Sequence, residues 1–134
     1  MKELTVAADI KNVEVVTDFV DEILAGYDCP LKVIMQVNVA IDELFSNIAY
    51  YAYEAEGDAT VRVEIIEESM EIVLTFLDNG IPYNPLEKED PDTTLSAEER
   101  EIGGLGIFMV KKTMDDVKYE YKDGQNILKI VKKM

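Results

Sequence analysis

The sequence predicts an α+β domain whose sheet is largely antiparallel. Residues from Asn12 to about Glu54 repeat apolar side chains at helical spacing. Two later stretches, 60–78 and 118–133, alternate apolar and polar residues around tight turns, as hairpins do. At 134 residues the chain suits a single domain, 1–134, that closes one core without disulfides or metals.

KELTVAA (2–8) alternates well enough for a short strand. Val13, Val16, Phe19, Val20, Ile23 and Leu24 then mark a helix with Asn12 as N-cap and Gly26 as stop. Pro30 suits the first turn of a second helix that runs to about Glu54. Val33, Val37, Ala40, Ile41, Leu44, Ile48 and Tyr51 lie down one side of it, and Met35, Val39, Phe45 and Ala49 widen the apolar surface, so it is expected to pack on more than one side. TVRVEIIEE and MEIVLTFLD form a hairpin joined near Ser69.

From Gly80 to Ile102 the periodicity gives way to IPYNPLEKEDPDTTLSAEEREI, rich in proline and acid. A loop of that length in a small domain is a lid or a disordered segment. GGLGIFMVKKTMDDV returns to helical spacing through Ile107, Val110 and Met114, and KYEYKDGQNILKIVKK is a second hairpin turning on Asp123-Gly124.

Thirteen Lys and Arg against 28 Asp and Glu give a formal charge of −15, a field that repels phosphate backbones and anionic membranes. Nucleic acid and membrane are therefore not expected partners; a basic protein surface, or a polyanion carrying a divalent cation, is compatible. The lone Cys29 has no intramolecular partner, and the start MKELTVAADI has no signal-length apolar core, so a cytoplasmic location is expected. With no histidine, proton transfer must fall to a carboxylate, a tyrosine or a lysine.

Three short motifs carry chemistry. Glu43 and Asn47 stand one helical turn apart in AIDELFSNIAYYAY, where polar groups interrupt an otherwise apolar helix. A carboxylate and an amide so spaced suit a base beside Mg²⁺, which takes few protein oxygens; a solvated stripe on a helix is the alternative. Asp78, Asn79 and Gly80 end a core strand, as a turn, or as an aspartate facing an exocyclic amine with a glycine that lets a planar base approach. GGLGIF opens a helix out of a loop, as a hinge or as a phosphate cradle of backbone N–H groups. No Gly-x-x-x-x-Gly-Lys-Ser/Thr motif is present to provide a P-loop instead.

In order and spacing these segments resemble the GHKL, or Bergerat-fold, ATP-binding domain, and within it the small bacterial anti-sigma-factor serine/threonine kinases. DELFSNIAYYAY matches the N-box, DNGIP the first glycine box and GGLGIFMVK the second, and the likeness covers essentially the whole chain. The resemblance implies a two-layer α/β sandwich, its mixed, mostly antiparallel sheet covered on one face by helices, with an ATP lid at about 83–102. It implies ATP and Mg²⁺ as cofactors, with Asn47 on the metal, Asp78 on the adenine amino group and Gly80 beside the base. Gly104, Leu105 and Gly106 would surround the phosphates, Arg100 would reach the terminal phosphate, and Glu43 would be the catalytic base. Pro82 stands where the wider family has a second glycine, and the acidic lid has no lysine cluster, leaving charge neutralisation to Mg²⁺, backbone dipoles and Arg100.

The function so implied is phosphorylation of a small anti-sigma antagonist and sequestration of a sigma factor, from a homodimer. Two alternatives are an ATP-binding interaction module without catalysis and a detached histidine-kinase-type ATPase domain. The retained Glu43 favours the kinase, since a binding module needs no base.

Overall fold

The computed structural model describes residues 1–53, 56–87 and 104–134, with only the backbone of Gly104 and Leu105. β1 (Lys2–Ala7) leads through a 3-10 turn at Ile10–Asn12 into α1 (Val13–Ala25) and α2 (Leu31–Tyr51). β2 (Asp58–Ile66) and β3 (Glu71–Asp78) follow, then α3 (Gly104–Thr113), β4 (Asp116–Lys122) and β5 (Gln125–Lys133).

The sheet runs β1-β2-β3-β5-β4, and each neighbouring pair is antiparallel. It thus lies at the antiparallel limit of the mixed, mostly antiparallel sheet expected. β3 and β4 do point the same way, but α3 carries the chain past one strand position, and the hairpin places β5 in that position, bonded to both.

Helical spacing and burial coincide for the core-facing stripes, but the wider apolar surface expected of α2 does not pack throughout: Met35, Val39 and Tyr51 are exposed. α1 buries Val16, Val20 and Leu24, and α2 buries Val37, Ala40, Ile41, Leu44, Phe45 and Ile48. These close on Val61, Val63, Ile72, Leu74, Phe76, Leu128 and Ile130 of the sheet, and Ile107 and Val110 of α3, with Met114 just beyond its end, complete the same core. On the sheet's other side the central strand is screened by its own neighbours: Thr75 lies between Arg62 and Lys129, and Leu77 between Thr60 and Ile127.

The ends of the elements refine the expected boundaries. Asn12 occupies the N-cap position of α1 but makes no capping bond; its amide Nδ2 donates instead to the Ala7 carbonyl at 2.9 Å, tying the helix entry to β1. α1 stops at Gly26 as expected, and Pro30 is the residue before the second helix rather than inside it. That helix ends at Tyr51; Glu54 lies outside the described residues. α3 ends at Thr113, whose carbonyl accepts from Lys132 Nζ at 2.7 Å, so Asp116 and Val117 belong to β4 and not to the helix. Asp123 (φ 53°) and Gly124 (φ 77°) make the paired left-handed turn that a two-residue hairpin needs. No described helix is long and apolar enough to cross a membrane.

Candidate functional site

The C-terminal half of α2 lies over the end of the sheet, and a cleft opens between them. Its walls are Leu44, Ile48, Ala52, Phe76, Pro85 and Leu128, with Asn47, Asp78, Tyr83, Tyr119 and Asn126 as the polar members. The cavity proper is small, about 30 Å³, and opens to solvent at its mouth. Apolar walls with a few convergent polar groups are the usual make-up of a small-molecule site.

Asn47 reaches the cleft because it falls on the same helical face as Leu44 and Ile48. It is buried, and among the described residues its Nδ2 has no hydrogen-bond partner. A buried donor left unmet costs about 1–3 kcal/mol, which a ligand or water would relieve. Glu43, one turn back, is half-buried and does not line the cleft; its carboxylate lies against Gly106 in the first turn of α3. Asp42 faces solvent, and Ser46 is half-buried.

Asp78 ends β3 at 5% exposure. Its Oδ1 accepts from the Gly80 N–H at 2.9 Å and from Asn126 Nδ2 at 2.9 Å. Asn126 is there because the β3–β5 register pairs it with Asp78. Its amide also donates to the Ile81 carbonyl at 2.8 Å, while its Oδ1 accepts from the Tyr83 N–H at 3.1 Å and from the Tyr119 hydroxyl. One side chain thus ties the carboxylate, the exit from β3 and strand β4 together. Burial holds the Asp78 carboxyl above the usual carboxylate range, against the pull of the bonds from Asn126 and Gly80.

The Asp-Asn-Gly segment is pinned to the end of α2. A Cβ on Gly80 would lie 2.1 Å from the Ala52 carbonyl oxygen, and the next N–H, of Ile81, donates to that oxygen at 2.9 Å. The glycine at 80 is therefore demanded by contact with the helix end, whatever else approaches it. Tyr53 completes the clamp: its hydroxyl donates to the Asp58 carbonyl at 2.7 Å and accepts from the Asn79 N–H at 2.8 Å.

Of the lid expected over 83–102, residues 88–102 lie outside the described residues, and with them Arg100. Its root is anchored: Tyr83 bonds to Asn126, Pro85 is buried, and the Leu86 N–H donates to Asn84 Oδ1 at 2.9 Å. The Tyr83 ring stands 5.5 Å from that of Tyr51 at the mouth. Gly104 and Leu105 form the start of α3.

Sequence reasoning brought Asn47 and Asp78 to one cavity but missed Asn126. Coming straight after the turn, Gln125-Asn126 reads as the polar start of a strand. The signal was the alternation itself, which puts Asn126 on the inward face with Leu128 and Ile130. As a metal site, no group of three His, Cys, Asp or Glu is found among the described residues. The Asn47 amide, its nitrogen unpartnered, can turn its oxygen toward a Mg²⁺ ion that draws most of its ligands from phosphate and water.

Residues 6–132 match the family model described as histidine kinase-like ATPase domain. The serine-protein kinase RsbW of Listeria monocytogenes serovar 1/2a is 30% identical over 103 residues, 72% of this chain and 64% of the relative. The serine/threonine-protein kinase BtrW of Bordetella bronchiseptica is 26% identical over 92 residues, 69% of this chain and 65% of the relative. The anti-sigma F factor of Clostridium acetobutylicum is 28% identical over 106 residues, 79% of this chain and 73% of the relative. The chain thus spans less than two thirds of the length of the RsbW and BtrW kinases it matches. With a match over nearly its whole length, the chain belongs to the histidine kinase-like ATPase domain family, the GHKL fold, among relatives named as anti-sigma and serine kinases.

Proposed function

We propose that this chain is an ATP-dependent serine/threonine protein kinase of the anti-sigma type, one domain with a lid at about 83–102. It phosphorylates a small antagonist protein and holds a sigma factor when the antagonist is absent. The observation that supports the reading best is the juxtaposition at α2: Asn47 lines an apolar cleft with Asp78, and Glu43 stands one turn outward against the second glycine box. The names of the relatives point the same way.

In this reading the base of ATP enters the cleft with its amino group on Asp78, and Asn47 would hold Mg²⁺. The metal, when bound, neutralises the phosphate charge. The backbone of Gly104, Leu105 and Gly106 offers N–H groups to the phosphates, and Arg100 joins them from the lid. The acceptor hydroxyl oxygen attacks the terminal phosphorus, the bond to the ADP oxygen breaks, and Glu43 takes the hydroxyl proton. With no histidine in the chain the role falls to a carboxylate, a tyrosine or a lysine, and Glu43 is the carboxylate that lies against the second glycine box.

The test is incubation with radiolabelled ATP, Mg²⁺ and candidate antagonist proteins, for the wild type and for Glu43→Gln. Label is expected on Ser or Thr of an antagonist. The glutamine variant should lose roughly 10²–10⁴-fold in single-turnover transfer while its ATP affinity changes far less. Transfer by Glu43→Gln at the wild-type rate would remove Glu43 as the base. ATP binding without transfer to any antagonist would favour the module that acts by partner binding alone.

A further inference from the structure

We propose that Gly106 is a positioning residue for the Glu43 carboxylate, and that this is why α3 carries a glycine there. A Cβ at 106 would lie 2.0 Å from Glu43 Oε2, 2.3 Å from its Cδ and 2.8 Å from its Cγ. The space a side chain would take is filled by the carboxylate itself.

Nothing in the backbone demands glycine at this point. Gly106 is the third residue of α3, and it is not among the residues of positive φ. Inside a helix glycine is a poorer choice than alanine, because it leaves more backbone freedom to be lost on folding. The two helices also have little room to move apart. Ile107 and Val110 fix α3 in the core, and Leu44, Phe45 and Ile48 fix α2. A side chain at 106 must therefore displace the one flexible party, the Glu43 carboxylate. The first turn of α3 thus sets where that oxygen points, so the segment placed at the phosphates also aims the base. The catalytic part of this inference rests on the proposed function; the contact does not.

The experiment is a double-mutant cycle on the full chain with Gly106→Ala, Glu43→Ala and both together, read by urea unfolding without nucleotide. Gly106→Ala alone should lower the urea midpoint. In the Glu43→Ala background the same change should raise it, because alanine is then the better helix former in vacated space. If Gly106→Ala alone does not fold, recovery of folding in the double variant carries the same meaning. Equal shifts in the two backgrounds, or failure of both to fold, would overturn the proposal.

In single-turnover transfer at saturating ATP, Gly106→Ala should fall at least tenfold, since the displaced oxygen cannot reach the hydroxyl. A loss confined to ATP affinity, with transfer at saturation intact, would overturn the positioning role and leave Gly106 as a phosphate contact. Should the wild type transfer no phosphate at all, the kinase reading fails while the urea cycle still decides the contact.

Discussion

Among the described residues both hydrogen bonds to the Asp78 carboxylate, from Gly80 and Asn126, fall on Oδ1 and none on Oδ2. Burial raises its pKa above the ordinary value of 3.8. An acid raised on folding binds protons more readily in the folded state. Its contribution to stability is therefore complete at low pH and is lost as pH rises from the ordinary carboxylate value through the raised one. Nucleotide binding should run the other way, since the carboxylate and not the acid accepts from an amino group. ATP affinity is expected to drop as pH falls through the raised value, and Asp78→Asn should flatten that profile while weakening binding at neutral pH by about ten- to a hundredfold, or about 1.5–3 kcal/mol. Titration calorimetry across pH checks both, and an unchanged affinity for Asp78→Asn would remove it from the site. Asn126→Leu removes a donor from Asp78 and Ile81 and an acceptor from Tyr83 and Tyr119. It should cost at least about 1–3 kcal/mol in urea unfolding and move the acid limb of ATP binding to higher pH, because a bond that lowers the Asp78 pKa is gone.

Among the elements, the helices were legible from spacing alone because their buried faces repeat at 3.6 residues, and the hairpins because alternation and Asp123-Gly124 are local signals. The sheet order was not legible in the same way. That β5 inserts between β3 and β4 is decided by which strand end receives α3, and only that order pairs Asn126 with Asp78. Asn12 holds the N-cap position without a capping bond because it closes the preceding 3-10 turn in helical backbone (φ −89°, ψ −1°) rather than the extended one a cap needs, and its Nδ2 is tied to the Ala7 carbonyl. Glycines show the difference between local and tertiary demands. Gly124 has φ +77°, and a Cβ there would meet nothing within 4 Å, so Gly124→Ala should cost only the backbone penalty, about 1–2 kcal/mol. A Cβ at Gly80 would instead meet the Ala52 carbonyl oxygen at 2.1 Å, and Gly80→Ala must part β3 from the end of α2. Overpacking of this kind costs typically about 1–3 kcal/mol or more. Urea unfolding should show both losses, but only Gly80→Ala should weaken ATP binding, since Asp78 and Ala52, which it touches, both line the cleft. Equal effects on ATP affinity would mean that the α2–β3 contact does not shape the site.

For the whole molecule the governing quantity is the charge of −15. Self-repulsion on that scale opposes compaction, and it is long-ranged, so salt should relieve it. The opposing effect is the loss of ion pairs. Lys11–Asp9 at 3.8 Å, Arg62–Glu3 at 3.0 Å and Lys118–Asp116 at 3.5 Å are all exposed pairs. Such pairs contribute about 0–1 kcal/mol each, so screening them removes little. Raising NaCl from about 0.01 to about 0.5 M shortens the screening length from about 30 Å to under about 5 Å, which silences repulsion between distant acids while leaving burial of the core untouched. The melting temperature should therefore rise with NaCl in calorimetry without nucleotide. The same field repels ATP and draws a basic partner, so salt should slow association with such a partner by lowering its on-rate, with less effect on its dissociation. A melting temperature that falls with NaCl would mean that local ion pairs, rather than the net charge, govern the stability of this fold.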